Sequence, residues 1–166
     1  MRAVLSIGSN MADRFALLRS AYDYFAPELL AASSVYATPP WGVEDQDEFL
    51  NAILIIETER SPMQLLQAAH EVEAAGDRRR EVRWGPRTLD VDIVQCLVDG
   101  IEVVSEDPVL TLPHPWARER AFVLVPWLEV EPNARMLGAS LRSSLGVISE
   151  DNIAQVRKVS SFEAIA

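Results

Sequence analysis

Leu89-Asp90-Val91-Asp92-Ile93-Val94-Gln95-Cys96-Leu97 is rich in β-branched and aliphatic residues and predicts a strand, interrupted near its start by two aspartates at alternate positions. Upstream, Ala3 to Ile7, Ala32 to Ala37 and Ala52 to Thr58 have the same strand-like composition. Helical spacing lies between them. Phe15, Leu18, Ala21, Tyr22 and Phe25 share one face of a helix predicted over Asp13 to Phe25, with Asp13 placed to cap or charge its start. Ser61 as N-cap, Pro62 at the first helical position, and Leu65, Leu66, Ala69 and Val72 mark a second helix that Gly76 ends.

The order strand, helix, strand, strand, helix, strand predicts an α+β unit with a split βαβ, ferredoxin-like βαββαβ sheet and helices packed on it. Additional C-terminal helices are predicted over Phe122 to Glu129, despite Pro126, and over Leu137 to Leu145. From Ser149 to Ala166 the tail carries no readable pattern. Without internal repeats, low-complexity tracts or a separating linker, residues 1–166 read as one domain. At 49% hydrophobic residues the chain can bury a sizeable core.

The apolar run from Met1 to Gly8 is too short for a signal peptide or a membrane span, so a cytoplasmic, soluble protein is expected. Cys96 is the only cysteine, which rules out an intrachain disulfide and a thiolate metal cluster. A net charge of -10 opposes nucleic-acid or anionic-membrane binding. Against that average, Arg78, Arg79, Arg80, Arg83 and Arg87 cluster in ten residues. They read either as a grip for a small polyanion or as a solvated charged loop.

Residues two apart in a strand face the same way, so Asp90 and Asp92 converge. Such a pair suits Mg²⁺, which takes one or two carboxylates and completes its shell with water and phosphates; the alternative is two surface aspartates on an edge strand. Arg87, behind Trp84-Gly85-Pro86, places a cation beside them, as phosphoryl transfer requires. There is no P-loop motif.

Thr38-Pro39-Pro40-Trp41-Gly42 and Phe49-Leu50-Asn51 offer a rigid loop, aromatic rings and an amide able to match a flat heteroaromatic ligand, although aromatics near prolines also serve as core. His114, held between Pro113 and Pro115 with Arg118 and Arg120 following, reads as a phosphate donor or as a structural histidine. Gly8-Ser9-Asn10 lacks the further glycines of a dinucleotide fingerprint and predicts a structural turn.

Taken in order, Thr38-Pro39-Pro40, Phe49-Leu50-Asn51, Arg83 to Asp92 and Pro113-His114-Pro115 closely resemble the 6-hydroxymethyl-7,8-dihydropterin pyrophosphokinase family of folate biosynthesis, from Gly8 to about Pro132. The resemblance implies a transferase that moves pyrophosphate from ATP to the pterin hydroxymethyl group and releases AMP. It implies catalytic roles for Arg79, Arg87, Asp90 and Asp92, with two Mg²⁺ ions on Asp90 and Asp92. The pterin pocket would comprise Thr38, Pro39, Trp41, Phe49, Asn51, Trp84 and Phe122. On the ATP side it implies His70, Glu73, Arg79, Arg87, Ile93, His114, Arg118 and Arg120. Partners are then the two small-molecule substrates, with a monomer expected and no nucleic acid or membrane.

Where the family commonly reads Gly-Arg-x-Arg, this chain reads Gly76-Asp77-Arg78-Arg79, and His70 stands where Gln is frequent. Two other classes compete. A non-catalytic pterin and ATP sensor is motivated by Asp77, and an RNA-binding sheet is opposed by the charge and by the missing aromatic pattern.

Overall fold

In the computed structural model, which describes residues 1–10, 13–39, 48–77 and 89–165, the central strand is β1 (Arg2–Ser9). It is followed by α1 (Arg14–Phe25), β2 (Leu29–Ala32), β3 (Val35–Thr38), β4 (Phe49–Glu57), α2 (Pro62–Asp77) and β5 (Asp90–Val98). Short strands β6 (Ile101–Glu102), β7 (Ser105–Asp107) and β8 (Leu110–Leu112) lead to α3 (Ala121–Val130). The chain closes with β9 (Arg135–Met136), β10 (Ala139–Ser140), α4 (Leu141–Val147), α5 (Glu150–Ala154) and β11 (Arg157–Ser160). Among the described residues the main sheet runs β11-β3-β4-β1-β5-β6, with β2 also on β4, and its pairings are antiparallel.

Helices cover one face of this mixed α/β architecture and part of the other, so its central strands are apolar on both sides where they are covered. Leu5 and Ile7 of β1, Leu54 and Ile56 of β4 and Ile93 of β5 form one core with Leu18 and Phe25 of α1 and Leu65 of α2. Val4, Ile53, Ile55 and Val94 form the other with Leu124 and Trp127 of α3. A β-bulge shifts the β1–β5 register between Val4 and Leu5. It turns Cys96 into the α1/α2 core and Gln95 to the α3 face, while Asp90 and Asp92 keep their common side.

The expected strand over Ala32 to Ala37 is two strands, β2 and β3, broken at Ser33, whose backbone N–H donates to Ile53 O (2.9 Å) and whose Oγ accepts from Ile53 N (2.8 Å). Ser61 caps α2 as expected: its Oγ accepts from Gln64 N (3.2 Å) and Gln64 Oε1 accepts from Ser61 N (2.9 Å). Asp13 occupies the N-cap position of α1 without a side-chain bond to the helix. Helix α4 starts at Leu141 rather than at Leu137, because Leu137 (φ 51) and Gly138 (φ 80) form the left-handed turn of the β9–β10 hairpin. No helix among the described residues is long and apolar enough to cross a membrane.

The tail, patternless in sequence, is an integral element. Strand β11 pairs with β3, and Phe162, buried in the α1/α2 core, stacks on Tyr22 with ring centroids 4.6 Å apart. Glu129 of α3 ties β3 in place, accepting from Ser34 N (2.8 Å), Ser34 Oγ (2.7 Å) and Tyr36 Oη (2.9 Å), with Lys158 Nζ at 3.5 Å.

Burial pushes the Glu129 carboxyl up, but the Ser34 and Tyr36 hydrogen bonds and the Lys158 charge together hold it below its ordinary value. Its contribution to stability is therefore complete above about pH 4.5 and is lost as pH falls through the lowered folded value. Thermal unfolding from pH 7 to 3 should show Glu129→Gln less stable than wild type at neutral pH and less acid-sensitive. Parallel curves for the two proteins would contradict this assignment.

Candidate functional site

Alternation along three neighbouring strands builds the site. In register, Gly8 of β1 lies between Asn51 of β4 and Asp90 of β5, and Ser6 lies between Ile53 and Asp92. All six face the α3 side. Helix α3 covers Val4, Ile53, Ile55 and Val94, and beyond it the sheet face opens as a cavity of about 460 Å³.

Asp90 and Asp92 line the cavity on one strand, with Ser6 and Gly8 beside them. Phe49, Asn51, Thr38 and Pro39 line the β3–β4 part, and Arg120 and Phe122 come from the start of α3. Asn51 Nδ2 donates to Thr38 Oγ1 (3.2 Å), which orients the amide and leaves its carbonyl oxygen toward Gly8. The Arg120 guanidinium carbon stands 5.6 Å from the Phe122 ring centroid, within cation–π range.

His114 sits beside this set. Its backbone N–H donates to Val94 O of β5 (2.9 Å), and its Nδ1 accepts from Trp116 N (3.2 Å), so the neutral ring carries its proton on Nε2. Burial lowers its pKa most; Asp92 opposes that and Arg120 adds to it, leaving an uncharged Nε2–H donor at neutral pH. Burial pushes the Cys96 thiol up to about 11, which makes it an inert core residue.

The donor set near Asp90 and Asp92 fits Mg²⁺. Two hard carboxylates are flanked by a glycine and a serine, so no bulky neighbour from β1 occupies the space before them. Among the described residues no group of three or more His, Cys, Asp or Glu side chains forms a metal cage. A metal here would complete its shell with water and substrate oxygens, as Mg²⁺ does.

Of the sequence-predicted residues, Thr38, Pro39, Phe49, Asn51, Asp90, Asp92, Arg120 and Phe122 meet at one cavity. Five others lie off its wall: His114 and Arg118, and with them Ile93, His70 and Glu73. Ile93 points into the α1/α2 core, His70 is exposed on α2, and Glu73 is buried with its Oε2 accepting from Val91 N (3.0 Å). Strand β6 pairs only with Leu97 and Val98, so Glu73 and the His114 backbone bond instead to the β5 edge, at Val91 and Val94. Arg118 is exposed in the turn before α3. Trp41, Arg79, Trp84 and Arg87 lie outside the described residues.

Gly8, expected in a structural turn, is instead a strand residue of the cavity wall, because β1 extends to Ser9. A Cβ at Gly8 would come within 2.9 Å of Asn51 Oδ1. Gly8→Ala should therefore displace the Asn51 amide while the sheet stays intact. For a hydroxymethyl-pterin, the ligand that the family resemblance implies for this cavity, we expect affinity to fall about tenfold, as for loss of one good hydrogen bond, with Tm lowered by only a few degrees. Calorimetric titration together with thermal unfolding measures both, and unchanged affinity would remove Asn51 from the pocket.

A family model described as 7,8-dihydro-6-hydroxymethylpterin-pyrophosphokinase (HPPK) matches residues 4–132. Similar proteins named 2-amino-4-hydroxy-6-hydroxymethyldihydropteridine pyrophosphokinase occur in Mycobacterium tuberculosis (47% identical over 141 residues, covering 81% of this chain and 75% of that one) and in Methylorubrum extorquens (43% over 159 residues, 93% and 98%). The fold is similar to a crystal structure of Plasmodium falciparum HPPK-DHPS, with a TM-score of 0.63 at 14% identity over 87% of this chain and 44% of that one. This chain thus spans less than half of that solved chain. With more than three quarters of its length matched and identities above 40% to relatives of that name, the chain belongs to the 7,8-dihydro-6-hydroxymethylpterin-pyrophosphokinase family.

Proposed function

We propose that this cavity performs the family's reaction on the residues named above: pyrophosphate moves from ATP to the hydroxymethyl group of 6-hydroxymethyl-7,8-dihydropterin, giving AMP and the pterin diphosphate for folate biosynthesis. The single observation that carries the assignment is one cavity with Phe49, Asn51 and Phe122 suited to a flat heterocycle and Asp90 and Asp92 suited to a metal-phosphate group. ATP is the co-substrate of this transferase.

In chemical terms, the pterin hydroxymethyl oxygen attacks the β-phosphorus of ATP, the bond from that phosphorus to the α,β-bridging oxygen breaks, and AMP leaves with the bridging oxygen. The hydroxyl proton is released, with Asp90 the candidate acceptor. Phe49 and Phe122 bind the ring faces, and Asn51, oriented by Thr38, reads the polar edge. Asp90 and Asp92 would hold Mg²⁺, two ions in this reading, and the metal would supply charge neutralisation at the phosphates. The neutral His114 and the charged Arg120 bind phosphate oxygens on the same side, joined by Arg79 and Arg87. Glu73 fastens the carboxylate strand through Val91. The exposed His70 and Arg118 complete the ATP side, and Trp41 and Trp84 the pterin side; Ile93, buried in the α1/α2 core, offers that side no side-chain contact.

The ferredoxin-like βαββαβ reading is supported by β1 standing between β4 and β5 with α1 and α2 on one face. We further propose that residues 1–166 act as one domain and as a monomer in the cytoplasm, where the lone buried Cys96 needs no oxidising compartment.

Purified protein given ATP, Mg²⁺ and the reduced hydroxymethyl-pterin should form AMP in step with the pterin diphosphate. Tight binding of both ligands without AMP would favour a ligand sensor. Asp90→Ala and Asp92→Ala should each lower kcat by roughly 10²-fold or more with the thermal transition retained, the size seen when one charge-stabilising group is lost. Retained Mg²⁺-dependent turnover in both variants would place the metal elsewhere. Arg79→Ala should depress kcat far more than it weakens pterin binding, and an equal loss in both would move Arg79 to the pterin side.

A further inference from the structure

The C-terminal tail lies beyond the residues that the family model matches, 4–132, yet it lines the same cavity. Ile148, Asn152, Gln155 and Val156 form part of the wall with Thr38, Pro39 and Phe122. We infer that this segment is a working wall of the pterin site, in which the side-chain amides of Asn152 and Gln155 contact the heteroaromatic substrate and set its affinity. The inference rests on the assignment of the cavity to the pterin.

The tail is held there from both ends. Downstream, β11 pairs with β3 with Arg157 opposite Ala37, so the residues just before Arg157 run out beside Thr38 and Pro39. Arg157 also pairs with Glu48, the neighbour of Phe49. Phe162, 5% exposed, anchors the end in the core, and Arg19 Nη1 donates to its carbonyl oxygen. Upstream, α5 packs on α3, the helix that bears Phe122, and Ser149 Oγ accepts from Asn152 N (3.2 Å) to fix the first turn. Both ends adjoin residues assigned to the pterin side, Thr38 and Pro39 downstream and the helix of Phe122 upstream.

Chemistry selects the same role. Asn152 and Gln155 stand three apart, on one side of the α5 turn, and reach the cavity, whereas the neighbouring carboxylates Glu150 and Asp151 do not line it. Neutral amides therefore face a site that must also admit a polyanion. Each amide offers two donors and an acceptor, the repertoire that a ring with alternating donors and acceptors can use. Among the described residues neither side-chain amide has a protein hydrogen-bond partner, so both are available to a ligand. Ile148 and Val156, half-buried, supply apolar cover beside them.

Both amide residues are exposed, so Asn152→Ala, Gln155→Ala and the double variant should fold as wild type does. Pterin affinity, titrated with Mg²⁺ and a non-hydrolysable ATP analogue present, should fall about fivefold to tenfold per substitution, the size of one neutral hydrogen bond. The KM for the pterin should rise with it, while kcat, the KM for ATP and Tm stay unchanged. Unchanged pterin affinity in the double variant overturns the inference, as does equal weakening of ATP and pterin. Wild-type protein that binds the pterin but forms no AMP overturns the reading of the reaction alone, since the binding comparison still decides the tail. Wild-type protein that binds no pterin overturns both.

Discussion

Strand β1 is hydrogen-bonded along both edges, to β4 on one side and β5 on the other, and nearly everything functional in the molecule follows from those two registers. Because side chains alternate across a sheet, the registers bring Asn51, Gly8 and Asp90 into one row and Ile53, Ser6 and Asp92 into the next. A slip of one residue in the β1–β5 register would turn the two aspartates into the α1/α2 core, where an unpaired carboxylate is costly, and a slip in the β1–β4 register would turn Asn51 away from them. The hydrophobic residues that alternate with them, Leu89, Val91 and Ile93, hold the register by their burial in that core. The same alternation that makes the core thus aims the carboxylates.

The site exists because α3 covers only half of its face. Trp127 and Leu124 fill the space over Val4, Ile53 and Ile55, and the helix begins at Ala121, leaving Phe122 and Arg120 at the margin of the opening. A cavity bounded by an aromatic ring, an oriented amide and a carboxylate pair offers very different environments within one small volume. The acidic pair has one described cation, Arg120, and the neutral His114 beside it, so on the proposed reading a metal would be needed to admit nucleotide phosphates.

Stability and site share parts. Glu129 gathers Ser34, Tyr36 and Lys158, which joins α3 to β3 and β11, and Glu73 accepts from a β5 amide that no strand among the described residues reaches. Both carboxylates stand in for backbone partners, satisfying polar groups that a partial sheet edge would otherwise leave unpaired. The tail strand serves the same end at the opposite edge, covering β3 and shortening the exposed margin of the sheet.

Local rules are sufficient for much of this. Composition marks the four main strands, Ser61-Pro62 marks α2, and period-two alternation by itself puts Asp90 and Asp92 on one face; short-range geometry alone controls each of these. The family resemblance, carried by contiguous motifs, names the pterin pocket, of which Thr38, Phe49, Asn51 and Phe122 do meet. Hidden from sequence are features that depend on partners distant in the chain. The break at Ser33 exists because Ile53 bonds to it, and the placement of Gly8 depends on strands 43 and 82 residues away, at Asn51 and Asp90. Glu73 turns inward because a β5 amide lacks a strand partner. The polar, patternless tail becomes a strand and a cavity wall because β3 offers an open edge and the core a slot for Phe162. The sequence by itself determined which residues have side chains suited to a metal or a flat ring; the long-range pairing of β1, β3, β4 and β5 decided which of them share one cavity, since only closure of the sheet brings them together.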